Sequence, residues 1–203
     1  MLDFDDFLAR AKTRLLAAPA SGWNRSDDDM NEKVRMIPEG VTPRQAAVLV
    51  PIVMREEPSV LLTLRHGGLS RHAGQIAFPG GRVDDGEMIG DAALREAEEE
   101  IGLGRAHINV LGFGDNYLTV THYQVTPVVA LVTPGYNLSR QEDEVEEIFE
   151  VPLGFLMDEA NRAIDARDWK GLPRRYYVYQ FGERHIWGAT AGMIKQLHDR
   201  LYA

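Results

Sequence analysis

Residues 80–103, GGRVDDGEMIGDAALREAEEEIGL, constrain this chain more than any other segment. The segment opens on glycines and acids and closes on a predicted helix that carries Glu96, Glu98, Glu99 and Glu100. Ala92, Ala93, Leu94, Arg95, Ala97 and Ile101 are compatible with helix, and Gly102 is suited to stop it. At about 100° per residue, Glu96, Glu99 and Glu100 share roughly a third of the helix circumference. Leu94, Ala97 and Ile101 cluster on a different side, which is expected to face the core. Ala92 and Ala93 flank the glutamate face and are expected to leave room there for a bulky group. Glutamates at this spacing repel by roughly a few tenths of a kcal/mol per pair, and within the helix only Arg95 offers a cation. A divalent cation would reverse the sign of that cost. Hard cations such as Mg²⁺ take oxygen ligands and commonly bind substrate phosphates as well. An isolated acidic run is most often a solvated face; here the surrounding pattern argues otherwise.

That pattern is Gly81, five residues, Glu87, seven residues, then Arg95-Glu96-Ala97-Glu98-Glu99-Glu100-Ile101-Gly102-Leu103. It resembles the Nudix box, the signature of the Nudix hydrolases, at each fixed position; Ala97 stands where a bulkier aliphatic is often seen. The resemblance implies an α/β fold, the Nudix α/β/α sandwich with a mixed β-sheet. It also implies hydrolysis of a diphosphate linked to another moiety, with water as acceptor and no organic cofactor. In that chemistry Glu96, Glu99 and Glu100 hold Mg²⁺ or Mn²⁺. Glu87 adds a ligand or pairs with Arg95, and Arg95 orients the acids. The general base in such enzymes is Glu99 or Glu100, or a glutamate from a later loop. Here the later run is Glu144, Glu146 and Glu147, of which Glu144 is the candidate. A silent Nudix domain that only binds nucleotide typically lacks motif glutamates; all are present here.

The preceding residues carry a second pattern. Leu61, Leu62, Thr63, Arg65, Gly74, Phe78, Pro79, Gly80 and Gly81 match, at the right spacing, the extra signature of the coenzyme A pyrophosphatase branch. His66 stands where Ser or Ala is usual, and Ser70 where Arg is usual, with Arg71 one residue on. The resemblance implies coenzyme A or its acyl derivatives as substrate. The products are then 3′-phosphoadenosine 5′-phosphate and 4′-phosphopantetheine. ADP-ribose, or another nucleoside diphosphate derivative, is the alternative. The residue types agree in kind: Arg65 and Arg71 suit bidentate bonding to phosphate, and Gly80 and Gly81 let backbone N–H groups approach an anion. His66 and His72 are phosphate contacts, loop-ordering residues or neither.

The rest of the chain sets bounds. Its 203 residues suffice for one sizeable domain, expected at residues 41–203, with an N-terminal helix and polar connector at 1–40 packing on it. There is no cysteine, so disulfides, thiolate metal sites and a cysteine nucleophile are excluded, which fits a cytoplasmic protein. The net charge of −9 argues against nucleic acid as a partner. No apolar run approaches the roughly 18 residues of a membrane span, and the acidic N-terminus lacks the order of a secretory signal. The expected partner is a small nucleotide-like diphosphate. The terminal helices are candidates for docking a second copy as a homodimer. Asp27-Asp28-Asp29 is read as a solvated run. Strands are expected at 44–54 (with Pro51 a bulge or edge), 59–65, 108–117 and 123–133, and residues 148–153, after the acidic run 141–147, resemble the family's late strand and following short helix. Helices are expected at 3–18, at 153–164 and from 185 to the end. A hairpin is expected over 169–181, turning at Gly-Leu-Pro, with its tyrosines serving packing rather than stacking on an adenine.

Overall fold

The computed structural model describes residues 2–68 and 73–203. Helix α1 (Phe4–Arg14) is capped by Asp3, whose carboxylate accepts the Asp5 and Asp6 N–H groups. Strands follow at β1 (Arg25–Ser26), β2 (Arg44–Val53), β3 (Ser59–Arg65), β4 (Ile76–Ala77) and β5 (Gly80–Arg82). Helix α2 (Ile89–Ile101) comes next, then β6 (Ile108–Phe113), β7 (Tyr117–Leu118), β8 (Tyr123–Val132) and β9 (Val145–Pro152). A four-residue helix α3 (Leu153–Leu156) leads to the hairpin strands β10 (Arg162–Trp169) and β11 (Leu172–Phe181). Strand β12 (Arg184–Trp187) and helix α4 (Gly188–Tyr202) end the chain.

Among the described residues, nine strands form one mixed sheet in the order β1-β7-β8-β2-β3-β4, with β5 also on β2, β6 on β8 and β9 on β3. Its axis is the parallel pair β2–β8, in unbroken register from Arg44↔Tyr123 to Val53↔Val132. Two buried clusters divide along β2 by the period of two that a strand imposes. Ala46, Val50 and Ile52 join the cluster under α1, α3 and α4. Ala47, Leu49 and Val53 join the cluster under α2. The sheet is thus covered on both faces, the expected sandwich. A parallel pair needs a long crossover, and here α2 lies within the connection from β2 to β8.

Pro51 is neither a bulge nor on an edge strand. It sits in central β2, paired in register with Ala130. It falls between the stretch of β2 that pairs with β5 (Ala46 to Val48) and the stretch that pairs with β3 (Ile52 and Val53). Its missing N–H therefore leaves no gap in either ladder.

The expected helix over 153–164 is also corrected. Only one turn of α3 forms, followed by a 3-10 turn capped by Asp158, and Arg162 already begins β10. Strand pairing with β11 from Arg162↔Tyr179 to Trp169↔Leu172 overrides local helix preference. The hairpin turns at Lys170-Gly171, both at positive φ (54° and 82°), as a two-residue hairpin turn of the primed kind demands. Leu172 and Pro173 lie in β11 instead. Of its tyrosines, Tyr179 is fully buried, and Tyr177 packs against the core. His185, Ile186 and Trp187, expected in the last helix, belong to β12.

Within the acidic triplet Asp29 is exposed, as a solvated run would be, but Asp27 and Asp28 are not. Asp27 accepts the Tyr117 hydroxyl (3.0 Å) and the Val120 N–H (2.9 Å), and burial pushes its carboxyl above the usual range. Asp28 accepts the Met36 and Ile37 N–H groups and pairs with Arg174 at 2.8 Å. Asn31 exchanges hydrogen bonds with the Arg175 backbone. Residues 25–37 are thereby tied to β7 and β11. Both members of the Asp28–Arg174 pair are mostly buried, at 9% and 14% side-chain exposure. Removing one partner of such a pair strands the other charge, at a cost of about 3 kcal/mol or more. Asp28→Ala is expected to lose about that much in chemical denaturation; a loss below about 1 kcal/mol would show that Arg174 does not depend on it.

Candidate active site

Helix α2 lies on the sheet through Ala92, Ala93, Ala97 and Ile101, all fully buried. Ala92 and Ala93 therefore do not border an open glutamate face. Their small size lets the helix approach the sheet, and Leu94, expected in the core, packs at its margin. Gly102 ends the helix in the left-handed region (φ 68°), its N–H reaching back to Ala97 and Glu98, which only glycine adopts without strain.

The predicted site residues divide into two groups. Arg95 gathers the first. Its guanidinium bonds both carboxylate oxygens of Glu87 (2.9 and 3.0 Å), Glu96 (2.8 Å) and Glu99 (3.0 Å). The pairing holds Glu87 down to about 2. The second group is centred on Glu100, which is 3% exposed. Its carboxylate accepts the Gly80 N–H at 3.0 Å and lies 3.2 Å from the Arg65 guanidinium. Burial pushes its carboxyl up to about 7 against the lowering effects of Gly80 and Arg65, and the charges of Glu96 and Glu144 add to the rise. Burial likewise raises Glu96, with Glu99 and Glu144 contributing.

Among the later acids, Glu144 raises both Glu96 and Glu100 by its charge. Glu147 pairs with Arg184, and Glu146 is exposed. The Glu144 carbonyl accepts the His66 N–H at 2.8 Å, and the His66 ring accepts the Gly68 N–H at 3.0 Å. His66 thus orders the start of its loop. The β3–β9 ladder shifts register between Leu64 and Arg65, and the Arg65 guanidinium faces Glu100. Arg71, with Ser70 and His72, lies outside the described residues.

The two glycines do different work. A Cβ on Gly80 would stand 2.4 Å from the Ala47 carbonyl oxygen and 2.6 Å from the Val48 Cα, so the backbone itself forbids a side chain. A Cβ on Gly81 would stand 2.5 Å from the Glu96 carboxylate. Gly80 permits the β5–β2 contact, and Gly81 leaves Glu96 its space.

Among the described residues, no three acidic or imidazole groups converge ready to hold an ion; Arg95 occupies Glu87, Glu96 and Glu99 instead. The donor set nevertheless fits a hard divalent cation. It is all carboxylate oxygen, two of its members are raised by burial and mutual repulsion, and Gly81 leaves the Glu96 carboxylate uncovered on one side.

Thr119, Thr121 and Tyr123, which no sequence motif marks, line a cleft beside the glutamates, with Arg44 next to Tyr123. The cleft, of about 300 Å³, runs from Arg65, Gly80 and Gly81 to Tyr123. Only strand pairing brings Arg44 beside Tyr123.

The Glu100 shift has a consequence for stability. Its folded value lies above the ordinary 4.5, so its contribution is complete below that value and is lost as pH rises through about 7. In EDTA the protein is expected to melt lower at about pH 8 than at about pH 5, and Glu100→Gln, which keeps an acceptor for Gly80, should reduce that slope. An unchanged slope in the variant would assign it to other groups.

Residues 43–174 match the NUDIX domain family. A protein of Escherichia coli O7:K1 (strain IAI39 / ExPEC), named "Uncharacterized Nudix hydrolase NudL", is 43% identical over 168 residues, covering 78% of this chain and 83% of that one. The protein of the same name from Escherichia coli O1:K1 / APEC is 42% identical over the same shares. The crystal structure of a C. elegans Ap4A hydrolase binary complex aligns at a TM-score of 0.48 and 21% identity, covering 54% of this chain and 80% of that chain. With the family match spanning more than half of its length and close relatives spanning most of it, the chain belongs to the Nudix hydrolases.

Proposed function

We propose that this enzyme cleaves the diphosphate of coenzyme A or its acyl derivatives, giving 3′-phosphoadenosine 5′-phosphate and 4′-phosphopantetheine. The observation that carries the reading is the contact between two motifs. Arg65, which ends the coenzyme A-type run Leu61-Leu62-Thr63-Leu64-Arg65, lies 3.2 Å from Glu100 of the Nudix helix. This contact supports the reading, because it joins the run implied in substrate recognition to the helix implied in hydrolysis.

Nudix hydrolases generally use divalent metals, and here Glu96, Glu99, Glu100 and Glu87 would hold Mg²⁺ or Mn²⁺. Such ions neutralise phosphate charge and lower the pKa of bound water. The chain supplies the rest. Arg95 positions Glu87, Glu96 and Glu99 along one edge of the helix. Arg65 and the amide-lined turn at Gly80-Gly81 hold the diphosphate, with Arg71 added from its loop. Glu144, or Glu99 or Glu100 of the helix, takes the proton from the attacking water. Residues 41–203 make the catalytic domain, with 1–40 packed on it. ADP-ribose is the second reading, because Arg65 and the glycines address phosphate without regard to the group beyond it.

The test is turnover of coenzyme A against ADP-ribose by purified protein. Coenzyme A is expected to be the better substrate by about tenfold or more in kcat/KM, about 1.4 kcal/mol of transition-state discrimination; a preference for ADP-ribose would remove the coenzyme A assignment. Glu99 is exposed, at 59% of its side chain, so Glu99→Gln should fold normally. It should lose about 100-fold or more in kcat, within the range for loss of a group acting in the transition state. Activity should vanish with EDTA and return with Mg²⁺ or Mn²⁺. Undiminished turnover in Glu99→Gln, or turnover surviving chelation, would point to a different mechanism.

A further inference from the structure

The cleft beside the glutamates has two chemically different ends. At one stand Arg65, Arg82 and the Gly80-Gly81 backbone; at the other stand Tyr123, Thr119 and Thr121. The first end suits phosphate. The second is built around a tight turn. His122, a non-glycine residue, is held in the left-handed region at φ 62°, an arrangement that persists only where its surroundings enforce it. The enforcing bonds are all present. His122 N–H donates to the Thr119 carbonyl (3.0 Å), and Thr119 N–H donates to the Tyr123 carbonyl (2.9 Å). Tyr123 N–H donates to the Thr119 hydroxyl (3.1 Å), which lies 2.9 Å from the Thr121 hydroxyl. Arg44 N–H donates to the His122 carbonyl at 3.0 Å.

The same register sets the Arg44 guanidinium over the Tyr123 ring, 4.6 Å from its centroid. A planar cation on an aromatic ring makes a stiff flat unit that favours further stacking. The ring is half-buried and lines the cleft, while Arg44 is exposed at the strand end.

We propose that the Arg44–Tyr123 pair is the wall against which the substrate's heteroaromatic base stacks, with the Thr121 hydroxyl reading its edge. The cleft then holds the base at one end and the diphosphate at the other. This rests on the diphosphatase reading above, but it is tested by binding, apart from turnover. Calorimetry on the full chain compares adenosine 5′-monophosphate with ribose 5-phosphate, which lacks the base. Base stacking on an aromatic side chain predicts that the first binds about tenfold more tightly or better. Tyr123→Leu should bring the two within about twofold, while Tyr123→Phe keeps the preference. Arg44→Gln, at an exposed position that leaves the ring in place, should reduce it by about threefold. Equal affinities in the parent, or a preference that Tyr123→Leu leaves unchanged, overturn the proposal. Coenzyme A turnover on the same samples separates the two ideas. No turnover with a Tyr123-dependent preference removes the diphosphatase reading and keeps the base site. Turnover with a Tyr123-independent preference does the reverse.

Discussion

The placement of the Glu100 carboxylate holds the site together. A nearly buried acid on α2 accepts the Gly80 amide of β5 and faces Arg65 of β3. One side chain thus joins the three elements that carry the glycines, the glutamates and the coenzyme A-type run. Burying a carboxylate is costly unless it is hydrogen-bonded and paired. Among the described residues, Glu100 has one amide, one guanidinium at the outer range of a hydrogen bond, and two acidic neighbours. The helix, glycine turn and strand are therefore locked around a group whose charge is only partly compensated, and a bound cation would improve that balance. Structure and chemistry make the same demand on this position.

Arg95 shows how the rest of the acidic helix is tolerated. Glu87, Glu96 and Glu99 would repel one another, yet all three accept from one guanidinium. Its fork of five donors suits a shared role that a lysine point charge would not fill. A cation taking Glu96 and Glu99 must compete with Arg95. Glu87, gripped through both oxygens, can keep Arg95 near the helix when the other two turn away. Glu87 is thereby better suited to holding the arginine than to being the first ligand. Packing beneath is independent of this exchange, because Ala92, Ala93, Ala97 and Ile101 seat the helix on the sheet by their apolar contacts alone.

How far the sequence disclosed this depended on how local each cause is. Glu96, Glu99 and Glu100 were legible because helical spacing places them, and Gly102 because a helix end calls for a left-handed residue. Strands β2, β3 and β8 were legible from apolar runs bounded by turn residues. The helix expected over 153–164 failed because pairing of Arg162 to Trp169 with β11 lies between residues up to 17 apart in register and outweighs local preference. The hairpin turn was misplaced by two residues because Pro173 drew attention from Lys170-Gly171. Asp27 and Asp28 looked solvated because their partners, Tyr117, Val120 and Arg174, are distant in sequence. Arg44 and Tyr123 carried no signal at all, since their meeting is a product of parallel register.

Those last two surprises are connected. Asp27 receives Tyr117 and Val120, and Val120 lies inside the turn whose threonines and Tyr123 line the cleft. Asp28, its neighbour, is fixed to Arg174 of β11 and to Met36 and Ile37 of the connector. The connector is therefore a brace between the small three-stranded sheet and the turn carrying Thr119 and Thr121. A left-handed His122 persists only if the residues on both sides are held; Arg44 holds its carbonyl and Asp27 holds the amide two residues before it. On this physical argument the N-terminal segment does more than cover a face of the sheet. It fixes the shape of the cleft at the end away from the glutamates, so the two ends of the cleft are set by parts of the chain that are distant in sequence and meet along β2.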